Sequence, residues 1–300
     1  MPYIPERFPR YKDYVLPPFP SLTCGLSEQL DKIKNFESRE SDILICTFPK
    51  SGTHWVNEVV NMLIKGSAEY GNVSKNTVML EGIGSFEGLD NAPEKSTRII
   101  NSHLPLADLP EKHIKNGYKI VHVIRNPKDV TVSFYNHLCN VKNGETLELP
   151  TDYPISWNLF VQHYCRGEEL YGGWFKYEKT FEKAKENGEL SDVFTLHYEQ
   201  LKREPLPILK SLAAFLCVEA SDELLEDIND KCSFDKMSTV GEANRDNAAV
   251  KKMSVTGKNF IYRKGQIGDW KNWFTVAQNE AFDLLIETEM KDSKLKFTYQ

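Results

Sequence analysis

The run Thr47-Phe48-Pro49-Lys50-Ser51-Gly52-Thr53-His54-Trp55 constrains this chain more than any other stretch. It follows the apolar residues Ile43-Leu44-Ile45-Cys46 and precedes a helical pattern at Val56, Val59, Val60 and Leu63. That order predicts a strand, a short loop and a helix. A loop entering a helix N-terminus gathers unpaired backbone N–H groups and the positive end of the helix dipole at one point. Lys50 adds a full charge, Ser51 and Thr53 add hydroxyl donors, and Gly52 lets backbone approach a ligand closely. The stretch is suited to hold a phosphate-like anion.

Around this loop the chain has 300 residues and a formal net charge of −6. An acidic body argues against general binding to nucleic acid or to anionic membranes, so an anion site has to be a local cationic pocket. Residues 1–20 are proline-rich and lack a long apolar core, and are expected to form a mobile or surface-draped arm rather than a signal or anchor. No other stretch approaches the run of about 20 apolar residues that a membrane span needs. Cys24, Cys46, Cys139, Cys165, Cys217 and Cys232 are scattered without CxxC spacing, which fits free thiols in a reducing compartment. The expected location is the cytoplasm, and no metal site is expected.

Four β-rich runs are predicted at residues 43–48, 98–102, 119–124 and 193–198. Helical patterns cover 56–65, 127–138, 157–166, 174–187, 205–216 and 221–229, with a last helix from Thr275. Thr275 and Gln278 have capping-box spacing. Strands alternating with helices predict an α/β fold, a single domain over 1–300 with a mostly parallel central sheet flanked by helices. Ligands of such sheets sit at the carboxyl ends of the strands.

Three of the four strand ends carry chemistry. The first ends in the Lys50 loop, the second at Ser102-His103-Leu104-Pro105 and the third at Arg125-Asn126-Pro127-Lys128-Asp129. Arg125 at a strand tip suits bidentate grip on a second phosphate. Arg263-Lys264-Gly265 supplies another cationic spot where backbone can come close. Two anion subsites are expected, one around Lys50 and one around Arg125 with Arg263 and Lys264.

The Lys50 loop, the segment from Arg125 to Ser133, and Arg263-Lys264-Gly265 followed by Gly268-Asp269-Trp270-Lys271 together resemble the cytosolic sulfotransferases. The resemblance runs over about residues 42–290, and the ordered combination is far more specific than any one piece. It implies transfer of a sulfuryl group from 3′-phosphoadenosine 5′-phosphosulfate (PAPS) to an acceptor hydroxyl or amine, leaving 3′-phosphoadenosine 5′-phosphate (PAP). By resemblance Lys50, Ser51, Gly52, Thr53, His54 and Trp55 hold the 5′-phosphosulfate, with Trp55 also against the adenine. Arg125, Ser133, Arg263, Lys264 and Gly265 hold the 3′-phosphate, and Tyr198, Cys232 and Phe234 line the base. His103 matches the catalytic base, Lys50 neutralises the leaving oxygen, and Ser133 can reach both the 3′-phosphate and Lys50. The transferred group is a monoanion, so no metal is implied. Tyr171 faces the acceptor by resemblance, with core packing an equal alternative. The family's dimer motif is matched by Lys271, Thr275-Val276 and Glu280, which implies a weak homodimer.

Three positions depart from the family pattern. His54 stands where relatives usually carry Thr or another small polar residue, Cys232 where they carry Thr near adenine, and Asn101 where phenol-type members carry Lys. Asn101 opens the acceptor class to alcohols and sterols beside phenols, within xenobiotic or steroid metabolism. Two competing functions stay open on the residues: a P-loop kinase or NTPase, although Gly52 follows Lys50 where a Walker loop has Gly before Lys, and a catalytically silent nucleotide-binding protein on the same fold. A dehydrating relative, in which sulfation activates an alcohol for elimination, is a further possibility. The remaining histidines, His122, His137 and His197, read as structural, and the Glu/Lys run over 178–189 as a solvated helix face. The acceptor itself is not readable. Segments 66–95, 140–156 and 236–262 are expected to shape and cover its pocket, the last as a lid.

Overall fold

Strands β3 (Ile43–Thr47), β4 (Ile99–Ser102), β5 (Ile120–Ile124) and β6 (Val193–His197) form a four-stranded parallel sheet in the order β4-β3-β5-β6. The computed structural model describes residues 4, 6, 8–71, 78–141, 156–243, 251, 254–257 and 259–300. All four strands coincide with the β-rich runs to within a residue. The reason is visible in the side chains: Ile43, Ile45, Val121 and Val123 join one apolar cluster, while Leu44, Cys46, Ile120 and Ile124 join the other. Both faces of the sheet are therefore buried, as the continuous apolar runs require.

Helix α1 (Pro20–Cys24) and α2 (Leu26–Lys34) precede the sheet. Helix α3 (Thr53–Lys65) follows β3, and α4 (Glu87–Asp90) and α5 (Glu111–Lys115) flank β4. Helix α6 (Pro127–Asn140) follows β5, then α7 (Trp157–Cys165) and α8 (Trp174–Glu186) lead to β6. Beyond β6 come α9 (Tyr198–Arg203), α10 (Pro205–Phe215), α11 (Asp222–Lys231), α12 (Phe234–Ala243) and α13 (Val276–Glu289). Thr275 caps α13 in a reciprocal capping box with Gln278, as its spacing predicts. Neighbouring strands β3 and β5 send their chains to opposite sides of the sheet, so a crevice opens at their carboxyl ends.

The N-terminal segment is pinned to the body. Strands β1 (Arg10–Tyr11) and β2 (Tyr14–Val15) pair as a hairpin, and Phe8, Tyr14 and Leu16 sit in the core cluster on one face of the sheet. The expectation that 178–189 is wholly a solvated face is corrected: Glu178 is fully buried and its Oε2 lies 3.0 Å from His122 Nε2. Within α8 the apolar stripe of Trp174, Tyr177, Phe181 and Ala184 includes Glu178 by helical period, one turn from Trp174.

Candidate active site

The Lys50 loop hangs between β3 and α3. Lys50 itself is left-handed, with φ 72°, and Gly52 has φ 110°. These two reversals turn the chain sharply into α3, whose N-cap is Gly52 with no side-chain cap. The first-turn N–H groups are thus uncapped by any side chain, beside a lysine. A Cβ at Gly52 would come within 2.8 Å of the Tyr198 ring, so only glycine fits both the angle and the space. The Ser51 hydroxyl is buried without a hydrogen-bond partner, a polar atom whose need a bound anion would meet.

Arg125 leaves the tip of β5 and ties the two predicted subsites together. One nitrogen donates to the Lys50 carbonyl at 3.2 Å and another to the Gln266 carbonyl at 3.1 Å. Its guanidinium lies 4.3 Å from the Tyr198 ring centroid, and Trp55 packs edge-on to the same ring at 5.2 Å. Arg263 and Lys264 both pair with Asp269 at 2.6 Å. Burial works against the Asp269 charge, yet Lys264, Asn272 and Arg263 overcome it and hold the carboxyl down at about 2. Asp129 in the first turn of α6 accepts the N–H groups of Gly268 and Trp270, which fixes this segment beside Arg125. A Cβ at Gly265 would strike the Phe234 ring at 2.2 Å, so Phe234 lies directly on that glycine.

His103 follows β4 and is nearly buried. Its Nδ1 lies 2.7 Å from the Thr47 carbonyl, which only accepts, so Nδ1 carries the proton and the lone pair of the neutral ring is on Nε2. Its backbone N–H donates to Glu81 Oε1 at 2.7 Å, and Ser102 donates to Glu81 Oε2 at 2.8 Å. Tyr171 stands edge-on to the imidazole at 5.7 Å. The Tyr171 backbone has φ 60° and its N–H is held by the Val15 carbonyl at 2.8 Å, so the N-terminal hairpin braces it. Burial first, then the Glu81 charge, pushes the Tyr171 hydroxyl well above its usual range.

Of the remaining predicted residues, Ser133 is half-buried on α6, and His137 one turn later on the same face meets Lys50. His54 lies beside Tyr262, with ring centroids 6.3 Å apart. Cys232 is turned into the core, where its thiol meets Met62 sulfur at 3.7 Å. Lys271 donates to Gln300, and Val276 of the dimer motif is 76% exposed. Segments 66–95, 140–156 and 236–262 fall partly outside the described residues. Within the last, Val255 donates to the Asn140 carbonyl at 2.8 Å and Phe260 packs on His137 at 5.0 Å.

Three residues of this site escaped the sequence reading: Thr47, Glu81 and His137. Thr47 was in plain view as the first residue of the anion-binding run. Glu81 reaches His103 across 22 positions and carries no local signal. His137 could have been found from helical period, four residues after Ser133. Among the described residues no cluster of His, Cys, Asp or Glu is arranged to hold a metal, and no helix is long and apolar enough to cross a membrane.

A family model described as the sulfotransferase domain matches residues 40–294. The chain is 36% identical over 277 residues to sulfotransferase 1B1 of Canis lupus familiaris, covering 89% of each. It is likewise 36% identical over 277 residues to sulfotransferase 1E1 of Homo sapiens, covering 89% of this chain and 90% of that one. Among solved structures it resembles mouse sulfotransferase SULT7A1 complexed with PAP, at TM-score 0.73 and 28% identity, over 96% of this chain and 97% of that one.

Proposed function

The chain belongs to the sulfotransferase family, a PAPS-dependent enzyme class, and on that premise we propose that His103 is the base that activates the hydroxyl or amine of a small, largely apolar acceptor. The observation that carries this reading is the 2.7 Å contact from His103 Nδ1 to the Thr47 carbonyl, which directs the lone pair to Nε2. A neutral imidazole with its lone pair on Nε2 can accept a hydroxyl proton at neutral pH. Glu81 holds the His103 backbone N–H, and Tyr171 packs edge-on to the ring.

PAPS supplies an activated sulfuryl group on a phosphosulfate bridge. The residues present fit such a donor: the buried Ser51 hydroxyl is short of a partner, α3 is uncapped, and Lys50 stands on the same loop. Lys50, Ser51, Gly52, Thr53 and His54 would hold its 5′ end, and Trp55 its base and 5′ end together. Arg125, Ser133 and the Arg263-Lys264-Gly265 segment would hold the separate 3′-phosphate. Tyr198 and Phe234 would flank the adenine, with Cys232 behind them. Lys50 would offset charge on the leaving oxygen, a role for a preorganised cation. No metal is assigned to this chemistry, and all six cysteines are free, in keeping with the cytoplasm.

Asn101 on β4, two residues before His103, stands where phenol-type members carry Lys, and that departure is what supports an alcohol or sterol acceptor over a simple phenol. Labelled PAPS offered with a phenol and a 3-hydroxysteroid tests the acceptor class. Higher turnover on the steroid is expected, and strong preference for the phenol would refute the assignment. Weak homodimerisation through Lys271, Val276 and Glu280 completes the proposal.

A further inference from the structure

Thr47 is fully buried at the end of β3 and brings both of its oxygens to the site. Its carbonyl lies 2.7 Å from His103 Nδ1. Its hydroxyl lies 3.0 Å from the same nitrogen and 2.7 Å from the hydroxyl of Thr53. Thr53 is the first residue of α3, on the anion-binding loop. One side chain therefore touches the imidazole on one side and the loop on the other. We infer that Thr47 is a positioning residue that couples occupancy of the anion-binding loop to the His103 imidazole through the chain Thr53–Thr47–His103. The inference rests on the reading of His103 as the base.

Either hydroxyl of the Thr47–Thr53 pair can donate, and the proposed coupling takes the following order. His103 Nδ1–H is shared by the carbonyl and hydroxyl oxygens of Thr47. The Thr47 hydrogen then goes to Thr53 Oγ1, and the Thr53 hydrogen remains to be donated onward. An anion on the loop accepts it. A hydroxyl that donates more strongly also accepts more strongly, so the bonds along the chain reinforce one another. The Nδ1–H bond tightens, the ring is held in its working tautomer, and electron density shifts toward Nε2. No proton crosses the chain and no covalent bond changes.

A plain packing role is the competing account, in which two buried hydroxyls merely satisfy each other. The other titratable groups facing His103 separate the two. Glu81 takes its backbone N–H from the segment before β4, Tyr171 meets its ring from the loop before α8, and Lys50 shares the loop after Thr47. All three remain when Thr47 is changed, as does any direct Coulomb effect of the anion.

The test follows the His103 ring nitrogens by NMR in protein labelled with 15N-histidine, with and without saturating PAP. Wild type, Thr47→Val and Thr47→Ser are compared, and His103→Ala assigns the signal. PAP is expected to move the His103 signals and raise its titration midpoint in wild type and in Thr47→Ser. In Thr47→Val the response should fall to about half or less, kcat should fall about tenfold, and PAP affinity should stay within about twofold. An equal response in Thr47→Val overturns the coupling, as does a wild-type signal indifferent to PAP. If Thr47→Val does not fold, Thr47→Cys, a weak hydrogen bonder of similar volume, is read by the same criteria. Full turnover by His103→Ala would instead overturn the base assignment, a separate outcome.

Discussion

Lys50 Nζ lies 3.2 Å from Nδ1 of His137. An ammonium group only donates, so this nitrogen accepts and is unprotonated. The lysine that would offset charge on the leaving oxygen is thus held toward α6, one turn beyond Ser133. The sequence reading takes His137 as structural, and this contact places it against the lysine of the predicted anion loop. On the proposed reading, a bound donor would draw Lys50 from the imidazole to the phosphosulfate.

Removing that competing acceptor should help the donor. His137→Leu is expected to bind PAP about two- to tenfold more tightly, since a hydrogen bond to a charged group contributes about 1.5–3 kcal/mol and part of that is recovered from water. Titration calorimetry at pH 7.5 reads this directly. Weaker binding would mean that His137 supports the nucleotide rather than competing for Lys50.

The Asp269 cluster gives a pH dependence of definite sign. Its carboxyl is held at about 2, below the ordinary 3.8, by Lys264, Asn272 and Arg263 against the cost of burial. A depressed carboxyl contributes stability that is complete above its unfolded value and is lost as pH falls through the folded one. Asp269→Asn should therefore flatten the dependence of melting temperature on pH between about 4 and 2. An unchanged acid limb would show that the two cations do not depend on this carboxylate.

Gly265 has φ 61° and no room for a methyl group, because a Cβ would meet Phe234 Cδ2 at 2.2 Å. Gly265→Ala is expected to cost about 1 kcal/mol of stability from backbone strain alone. The displaced Phe234 ring and the moved Arg263-Lys264 segment should weaken PAP binding about tenfold or more, since ring stacking on a base is worth about 1–3 kcal/mol. Denaturant unfolding and calorimetry measure the two effects separately. Wild-type PAP affinity in this variant would take Phe234 and Gly265 out of the nucleotide site.

Val276, at 76% exposure beside the capping box of α13, is the apolar centre of the proposed dimer surface. Val276→Glu should shift sedimentation at micromolar concentration from dimer to monomer while leaving turnover unchanged. A wild-type protein that sediments only as monomer at that concentration removes the dimer proposal.

The sheet and the site could be read from the chain to different degrees. All four parallel strands were legible, because buried strands write their position in unbroken runs such as Ile43-Leu44-Ile45-Cys46. Their carboxyl ends then offered Lys50, His103 and Arg125 as candidates, and the role expected of each came from the family resemblance. Helix α2 was missed because Leu26, Leu30 and Ile33 are sparse among charged residues beside a proline-rich segment. The buried His122–Glu178 pair was missed because each half looks ordinary, a histidine in a strand and a glutamate in a charged helix. Only the packing of α8 on β5 joins them. Glu81 was invisible for the same reason: what it holds is a backbone N–H far along the chain. The acceptor pocket stayed unreadable because apolar walls leave no chemical signature in sequence.

The account turns on His103 as the base in a sulfuryl-transfer site, and one paired measurement tests it. Turnover of labelled PAPS by wild type and His103→Ala is compared on the best acceptor, with PAP affinity measured in both. The prediction is a loss of about 100-fold or more in kcat with PAP affinity within about threefold. Turnover by His103→Ala equal to wild type would contradict it.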